Sequence, residues 1–93
     1  MNCHGEFKVP GGKLVVADFR IDKGELADVH ISGDFFLYPD EALGWINAAL
    51  TGAPADEDAA SLAQRIRLIL GPEVELLGFH AEAIAEAVRR GVK

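Results

Sequence analysis

The hydrophobic residues of this chain change their spacing near its middle. Residues 15–21 alternate between apolar and polar side chains, and residues 27–32 do the same. In the second half, apolar residues recur three or four positions apart. A period of two indicates a strand with one buried face, whereas a period near 3.6 indicates an amphipathic helix. Strands followed by helices predict an α+β fold rather than a doubly wound parallel sheet.

The first half predicts a β-hairpin with additional short strands. The hairpin joins residues 14–22 to residues 26–32 through Asp22-Lys23-Gly24-Glu25, where the glycine suits a tight turn. Residues 6–9 indicate a short extra strand that ends at Pro10-Gly11-Gly12. After Ser32-Gly33-Asp34, the alternation resumes in residues 35–37, either as a third strand or as a bulged continuation. The residues expected on the buried face of the hairpin are Val15, Ala17, Phe19, Ile21, Ala27, Val29 and Ile31.

The second half predicts three helices. The first follows Pro39-Asp40-Glu41 and ends at Thr51-Gly52, the second runs from about Asp58 to Leu70 and stops at Gly71-Pro72, and the third covers residues 81–90. Residues 74–79 are predicted to form a last strand or an extended connector. We therefore expect one antiparallel sheet with helices packed on one face. The helical residues expected to face the core are Ala42, Leu43, Ile46, Ala49, Leu50, Leu62, Ile66, Ile69, Leu70, Ile84, Ala85 and Val88.

Length and charge exclude several classes of protein. A chain of 93 residues predicts a single domain over residues 1–93, with little room for a core plus a deep substrate cavity. Its net charge of −6 argues against general nucleic-acid or anionic-membrane binding. No apolar run approaches the ~20 residues of a membrane span, and the N-terminus does not resemble a signal peptide. A single cysteine, which excludes an internal disulfide, fits a reducing cytoplasm.

The sequence lacks an arrangement of residues that indicates catalysis or a metal site. Cys3 is the only cysteine, and we expect it to be an inert thiol in a frayed terminus. The histidines show no metal-ligand spacing. His30 is expected to be an ordinary surface residue. His80 is expected to have a structural role at the start of the last helix, although serine would be a better cap there.

The segment Lys8-Val9-Pro10-Gly11-Gly12-Lys13 is a candidate ligand loop. Adjacent glycines allow backbone N–H groups to approach a ligand closely, and a lysine stands on each side of them. Such a loop could contact a phosphate or a carboxylate. It is not a P-loop, which needs a longer span ahead of a helix. The alternative is a simple turn before a strand.

The segment from Ile31 to Leu37 contains two adjacent aromatic residues, Phe35 and Phe36. Successive strand residues face opposite sides, so both cannot enter the same core face without a bulge. An exposed aromatic would suit an interface anchor. The alternative is that helices cover one side and a loop covers the other.

Together these two segments resemble a known family. Residues 5–15 resemble the opening of the small C-terminal domain of lipoate–protein ligases, and residues 31–37 resemble the second signature of that domain. Further similar stretches are residues 40–43, residues 46–50 and Gly78-Phe79. The motifs occur in the same order and the resemblance covers nearly the whole chain.

The resemblance implies an accessory role. In this family a large domain binds lipoate and ATP, makes lipoyl-adenylate, and passes the lipoyl group to a lysine of an acceptor domain. The small domain follows it in one chain or is a separate polypeptide that adenylate formation requires, and its fold is SufE/IscU-like. The expected partners are therefore a catalytic subunit and, indirectly, lipoyl acceptor domains. ATP, Mg and lipoate are expected at the catalytic subunit, with none bound by this chain alone. The cysteines of the scaffold proteins are not present, so iron–sulfur assembly does not carry over.

We expect the chain to be non-catalytic alone and to be either a separate accessory subunit or an excised domain. The acyl substrate stays open between lipoate, octanoate and related groups. One alternative is a non-catalytic protein-binding module with a SufE/IscU-like fold, and an independent small enzyme is disfavoured. The residues expected to contact substrate or partner are Lys8, Gly11, Gly12, Lys13, Asp34, Phe35 and Phe36.

Overall fold

The computed structural model describes residues 2–71, 74–77 and 79–92, which form an α+β fold. Its elements in chain order are β1 (Asn2–Lys8), β2 (Leu14–Asp22), β3 (Glu25–Gly33), β4 (Phe36–Tyr38), α1 (Ala42–Leu50), α2 (Ala59–Ile69), β5 (Glu75–Leu77) and α3 (Ala81–Val92). The predicted fold class is confirmed, while the SufE/IscU likeness remains a prediction. Two positions used in the sequence analysis, Pro72 and Gly78, lie outside the described residues.

The main sheet is antiparallel, with strand order β1-β2-β3. Strand β1 begins at Asn2, four residues before the predicted start, and Cys3 pairs with Phe19 of β2. The prediction of a frayed terminus around Cys3 is therefore wrong. Pairing with β2 orders this segment and turns the thiol toward the helices, where the residue is only 8% exposed.

A bulge interrupts the pairing of β2 with β3. Asp18 pairs with His30, but Arg20 pairs with Ala27, so two residues of β3 face one residue of β2. Asp28, at the bulge, has a φ of 51°. The extra residue reverses the alternation beyond it. Leu26 is consequently buried and Ala27 only partly buried, so the prediction for Ala27 is wrong.

The helices cover one face of the main sheet. Helix α3 packs on β1 and β2, α1 packs on β3, and α2 packs against the other two helices. Most residues predicted for the helical part of the core are buried. The exceptions are Leu43 and Ala49, which are partly buried, and Ile69, which is 45% exposed. The inward stripe of α2 is centred on Leu62, Ala63 and Ile66, and this centring leaves Ile69 at its margin. Among the described helices, none is long and apolar enough to cross a membrane.

Strand β1 and helix α3 meet at two glycines. A Cβ on Gly5 would lie 1.9 Å from the Ala87 carbonyl oxygen, and one on Gly91 would lie 2.8 Å from the Phe19 ring. Neither position has room for a larger residue. This contact brings the end of the last helix onto the first strand.

The outer edge of β3 is also covered. The Asn47 side-chain oxygen of α1 accepts a hydrogen bond from the Ile31 N–H at 3.0 Å. Beyond α1, the Ala53 carbonyl accepts from the Leu26 N–H, and the Gly52 N–H donates to the Leu26 carbonyl, both at 2.8 Å. These contacts satisfy backbone groups that an edge strand would otherwise expose.

Strands β4 and β5 form a second, two-stranded antiparallel sheet. Phe36 pairs with Leu77, and Tyr38 pairs with Glu75. The expectation of a single sheet is therefore wrong, because residues 36–38 leave the main sheet and pair with a segment that lies beyond two helices. The prediction of a strand within residues 74–79 is confirmed for residues 75–77.

Candidate functional site

The two segments singled out from the sequence lie side by side. The Asp34 carboxylate accepts a hydrogen bond from the Leu14 N–H at 2.8 Å, and the Asp34 N–H donates to the Leu14 carbonyl at 3.4 Å. Leu14 directly follows Lys13. The end of the glycine loop (residues 8–13) is thereby joined to the aromatic segment (residues 31–37), and the two form one surface.

Gly33 makes this joint possible. Its φ is 150°, and a Cβ there would lie 2.1 Å from the Leu14 carbonyl oxygen and 2.9 Å from the Phe35 ring. Only glycine combines this backbone conformation with so close an approach. Gly33 therefore turns the chain out of β3 so that Asp34 reaches Leu14. The sequence showed this position only as an interruption of the strand pattern.

The glycine loop is closed by its own hydrogen bonds. The Val9 N–H donates to the Lys13 carbonyl at 3.0 Å, and the Gly12 N–H donates to the Val9 carbonyl at 2.8 Å. Gly11 supplies the positive φ of 70° that the turn requires. The Lys8 ammonium donates to the Gly12 carbonyl at 2.7 Å. Lys8 thus stabilises the turn from within.

Lys13 differs from Lys8 because no side-chain hydrogen bond or ion pair engages its ammonium among the described residues. Every arginine is engaged: Arg20 donates to Asp28, Arg65 to Glu57, Arg67 to Glu82, Arg89 to the Ala55 carbonyl and Arg90 to Glu86. Lys23 is similarly unengaged in the part of the chain that is described, but it lies in the hairpin turn at the other end of β2. Lys13 is therefore the cation that this surface can offer to an anion.

The two adjacent phenylalanines face opposite ways, as the strand pattern predicted. Phe35 is partly buried and stacks on Phe79, with ring centroids 3.9 Å apart and an interplanar angle of 18°. Phe36 is 70% exposed. Phe35 therefore holds the segment to the core, and Phe36 is the aromatic that a partner can reach.

Three exposed apolar side chains share one face of the β4–β5 sheet, and we name this group the mini-sheet patch: Phe36, Tyr38 and Leu77. Alternate residues of a strand and directly paired residues project to the same side of a sheet. Phe36 is 70% exposed, Tyr38 68% and Leu77 59%. On the opposite side, Leu37 and Leu76 are partly buried against the core. Tyr38 and Leu77 could not be predicted as parts of this site from the sequence, because pairing between distant segments leaves no local pattern.

Exposed carboxylates flank the mini-sheet patch. Asp34 precedes β4, Asp40 and Glu41 follow it, and Glu75 pairs with Tyr38. The surface thus has an apolar centre, an acidic rim and a single unengaged lysine next to it in the described structure.

Other clusters of polar residues are engaged within the fold. The His4 ring lies 2.7 Å from a Glu6 carboxylate oxygen and 2.5 Å from one of Asp18 on the polar face of the main sheet. These hydrogen bonds, that with Glu6 first, raise the pKa of His4 above its ordinary value of 6.5. The predicted structural role of His80 is confirmed, because its Nδ1 accepts from the Ala83 N–H at 3.1 Å and caps α3.

A shallow cleft of about 370 Å³ lies near the bulge and is lined by Asn2, Cys3, Asp18, Phe19, Arg20 and Asp28. The Arg20 Nε lies 2.6 Å from Asp28, so its charge is already paired. No group of histidine, cysteine and acidic residues that could hold a metal ion occurs in the part of the chain that the structure describes.

The described residues define a class of small α+β domain. A three-stranded sheet is covered by helices, and a second, two-stranded sheet presents an apolar patch beside the glycine loop. A solved structure of the same kind belongs to an archaeal lipoylation system, a bi-partite lipoate protein ligase and its E2 lipoyl domain from Thermoplasma acidophilum. The similarity has a TM-score of 0.77 and 25% sequence identity, and it covers 96% of each chain. The chain that matches is the small accessory subunit, so the recognition made from the two motifs is confirmed. No protein-family model and no curated protein sequence matches this chain.

Proposed function

We propose that this chain is the accessory subunit of a two-component lipoate–protein ligase. The observation that carries this proposal is the similarity to the small accessory subunit of a bi-partite ligase over 96% of both chains. In this role the chain acts with a separate catalytic subunit that binds ATP, Mg and lipoate and forms lipoyl-adenylate. Lipoyl acceptor domains are then indirect partners.

The role we assign to Lys13 is to place positive charge at the rim of the catalytic subunit's site. When the lipoate carboxylate attacks ATP, pyrophosphate leaves and negative charge develops on its oxygens. An ammonium group held near those oxygens stabilises that charge. Lys13 suits this role because its side chain is exposed and unengaged in the described structure, and because Asp34 holds the adjacent Leu14 in place.

The alternative candidate is a protein-binding module that leaves the chemistry of its partner unchanged. The mini-sheet patch favours this candidate, since an exposed apolar surface suits a partner of any activity. The two candidates differ in whether formation of the adenylate depends on this chain.

The deciding experiment measures lipoyl-adenylate formation from lipoate, ATP and Mg by this chain, by the catalytic subunit, and by their mixture. We expect product only from the mixture. Adenylate made by this chain alone would contradict an accessory role. Equal rates for the catalytic subunit with and without this chain would favour the binding-module alternative.

A second experiment tests Lys13 with a matched control. The variants Lys13→Ala and Lys23→Ala each remove an exposed lysine that is unengaged in the described structure and lies next to one end of β2. Both should keep the free energy of unfolding within about 0.5 kcal/mol of wild type, as surface changes usually do. Lys13→Ala should slow adenylation by roughly tenfold or more, or about 1.4 kcal/mol of transition-state stabilisation.

Transfer from preformed lipoyl-adenylate should change much less in Lys13→Ala, since pyrophosphate has already left. Lys23→Ala should leave both half-reactions unchanged. If the two variants adenylate equally well, Lys13 only keeps the strand edge soluble.

A further inference from the structure

The mini-sheet patch has no cover within the described part of the chain. Phe36 and Tyr38 are 70% and 68% exposed, and Leu77 is 59% exposed. Because each aromatic side chain can bury about 150–250 Å², covering this patch would remove on the order of 400 Å² of apolar surface from water. A typical protein–protein interface buries about 800 Å² on each partner. The patch is therefore the right size for the apolar centre of such an interface.

We infer that the mini-sheet patch is the surface through which this chain docks on the catalytic subunit, an inference that rests on the proposed function. The position of the patch relative to Lys13 supports this choice of partner. Strand β4 begins two residues after Asp34, and Asp34 is hydrogen-bonded to Leu14, the residue after Lys13. A partner bound to the patch thus lies beside the glycine loop. Docking on the patch would therefore also place the Lys13 ammonium beside the catalytic subunit.

The other exposed apolar side chains do not offer the same combination. Leu68 and Ile69 lie at the end of α2, and Trp45 lies on α1. Neither helix adjoins the glycine loop in the chain. The polar face of the main sheet is taken up by ion pairs, such as that of His4 with Asp18. The mini-sheet patch, by contrast, contains several apolar side chains and follows Asp34, which is hydrogen-bonded to the residue after the glycine loop.

The rim of the patch also indicates the chemistry of the surface that it fits. Asp34, Asp40, Glu41 and Glu75 are exposed around the apolar centre, and the whole chain has a net charge of −6. The docking surface of the catalytic subunit is therefore apolar at its centre and basic at its edge. Such charges raise association rates at low salt more than they raise affinity. The association rate should fall as salt is added, with a smaller change in dissociation rate.

The inference is tested by the dissociation constant of the wild-type chain and three variants for the catalytic subunit. Leu77→Ala removes a leucine from the patch, and Leu68→Ala removes an even more exposed leucine, 77% exposed, from α2. Tyr38→Ala removes an aromatic of the kind that dominates interface energetics. We expect binding about tenfold weaker for Leu77→Ala, about 30-fold weaker for Tyr38→Ala, and within about twofold of wild type for Leu68→Ala. Circular dichroism of each free variant checks that it is folded.

Each contrary result has its own meaning. If the wild-type chain does not bind the catalytic subunit, the proposed function is wrong. If the wild-type chain binds, and Leu77→Ala and Tyr38→Ala bind as tightly as wild type, the docking inference is wrong and the proposed function stands. The same conclusion follows if only Leu68→Ala loses binding. If the wild-type chain forms a dimer that Leu77→Ala abolishes, and binding to the catalytic subunit is unchanged, the patch belongs to a second copy instead.

Discussion

Replacing Gly5 with alanine tests the closest contact between β1 and α3. The new Cβ would lie 1.9 Å from the Ala87 carbonyl oxygen and 2.5 Å from the Gly91 nitrogen, whereas ordinary contacts begin at 3.4 Å. Both obstructing atoms belong to the backbone of α3, so no change of side-chain rotamer relieves the overlap. The strand and the helix must therefore separate.

The cost of this separation follows from the packing that it disturbs. Overpacking in a core costs about 1–3 kcal/mol, and occasionally more. Alanine is intrinsically better than glycine in a strand by roughly 0.5–1 kcal/mol, which offsets part of that loss. Moving α3 also loosens the contacts of Ile84 and Val88, which are fully buried. We expect a net loss of about 3 kcal/mol, and a fall in Tm of roughly 10–20 °C for a domain of this size.

Urea unfolding followed by circular dichroism measures this change, and Gly44→Ala is the matched control. Gly44 lies on the exposed side of α1, with no atom within 4 Å of an added Cβ. Alanine there should stabilise the protein by about 0.5–1 kcal/mol, because it favours the helix. The same substitution should thus have opposite signs at the two sites. A Gly5→Ala variant as stable as wild type would show that β1 and α3 are not in close contact.

Three further perturbations test the core, a helix cap and an ion pair. Ile66→Ala should lower the free energy of unfolding by about 2–5 kcal/mol in urea titrations, and a neutral result would contradict the inward face of α2. Asp58→Ala removes the N-terminal cap of α2. The hydrogen bond from the Ser61 N–H lowers the pKa of the Asp58 carboxyl group. The loss of stability in the variant should therefore be complete above the ordinary pKa of aspartate and should vanish as pH falls through the lowered pKa. Glu6 and Asp18 stabilise the protonated form of His4, so its contribution to the free energy of unfolding is complete below pH 6.5 and is lost as pH rises through its raised pKa. An NMR titration of His4 with a midpoint at or below pH 6.5 would contradict this.

The elements that could be predicted from the sequence are those whose signals are local. The alternation of apolar and polar residues lies within β2 and β3, and helix-breaking residues directly flank α1 and α2. The predicted bounds of these four elements are therefore close to the observed ones. The bulge at Asp28 could not be predicted from the sequence, because it depends on the register between β2 and β3. The place of Cys3 was also missed, since a terminal strand is defined by its partner and not by its own composition.

The candidate site was predictable only in part for the same reason. The glycine loop and the aromatic segment are short patterns, but their joint through Asp34 and Leu14 is a contact between distant residues. The sequence places Lys8 and Lys13 on either side of the same glycine pair and shows no contact of either side chain. The direction of the carbonyl groups in the turn makes them different, because it engages Lys8 and leaves Lys13 exposed. Whether Lys13 acts on a substrate stays a prediction.

The pairing of β4 with β5 has a consequence for the order in which the domain opens. Strands β1, β2 and β3 pair with their neighbours in the chain, but β4 pairs with a strand that lies beyond α1 and α2. Closing the long loop between β4 and β5 is entropically unfavourable, and the three residue pairs of this sheet form few hydrogen bonds to offset that cost. Local opening should therefore reach residues 36–38 before it reaches the centre of β2. In hydrogen exchange, the amides of β4 should exchange sooner, and a partner bound there should slow them while the amides of β2 keep their own rates.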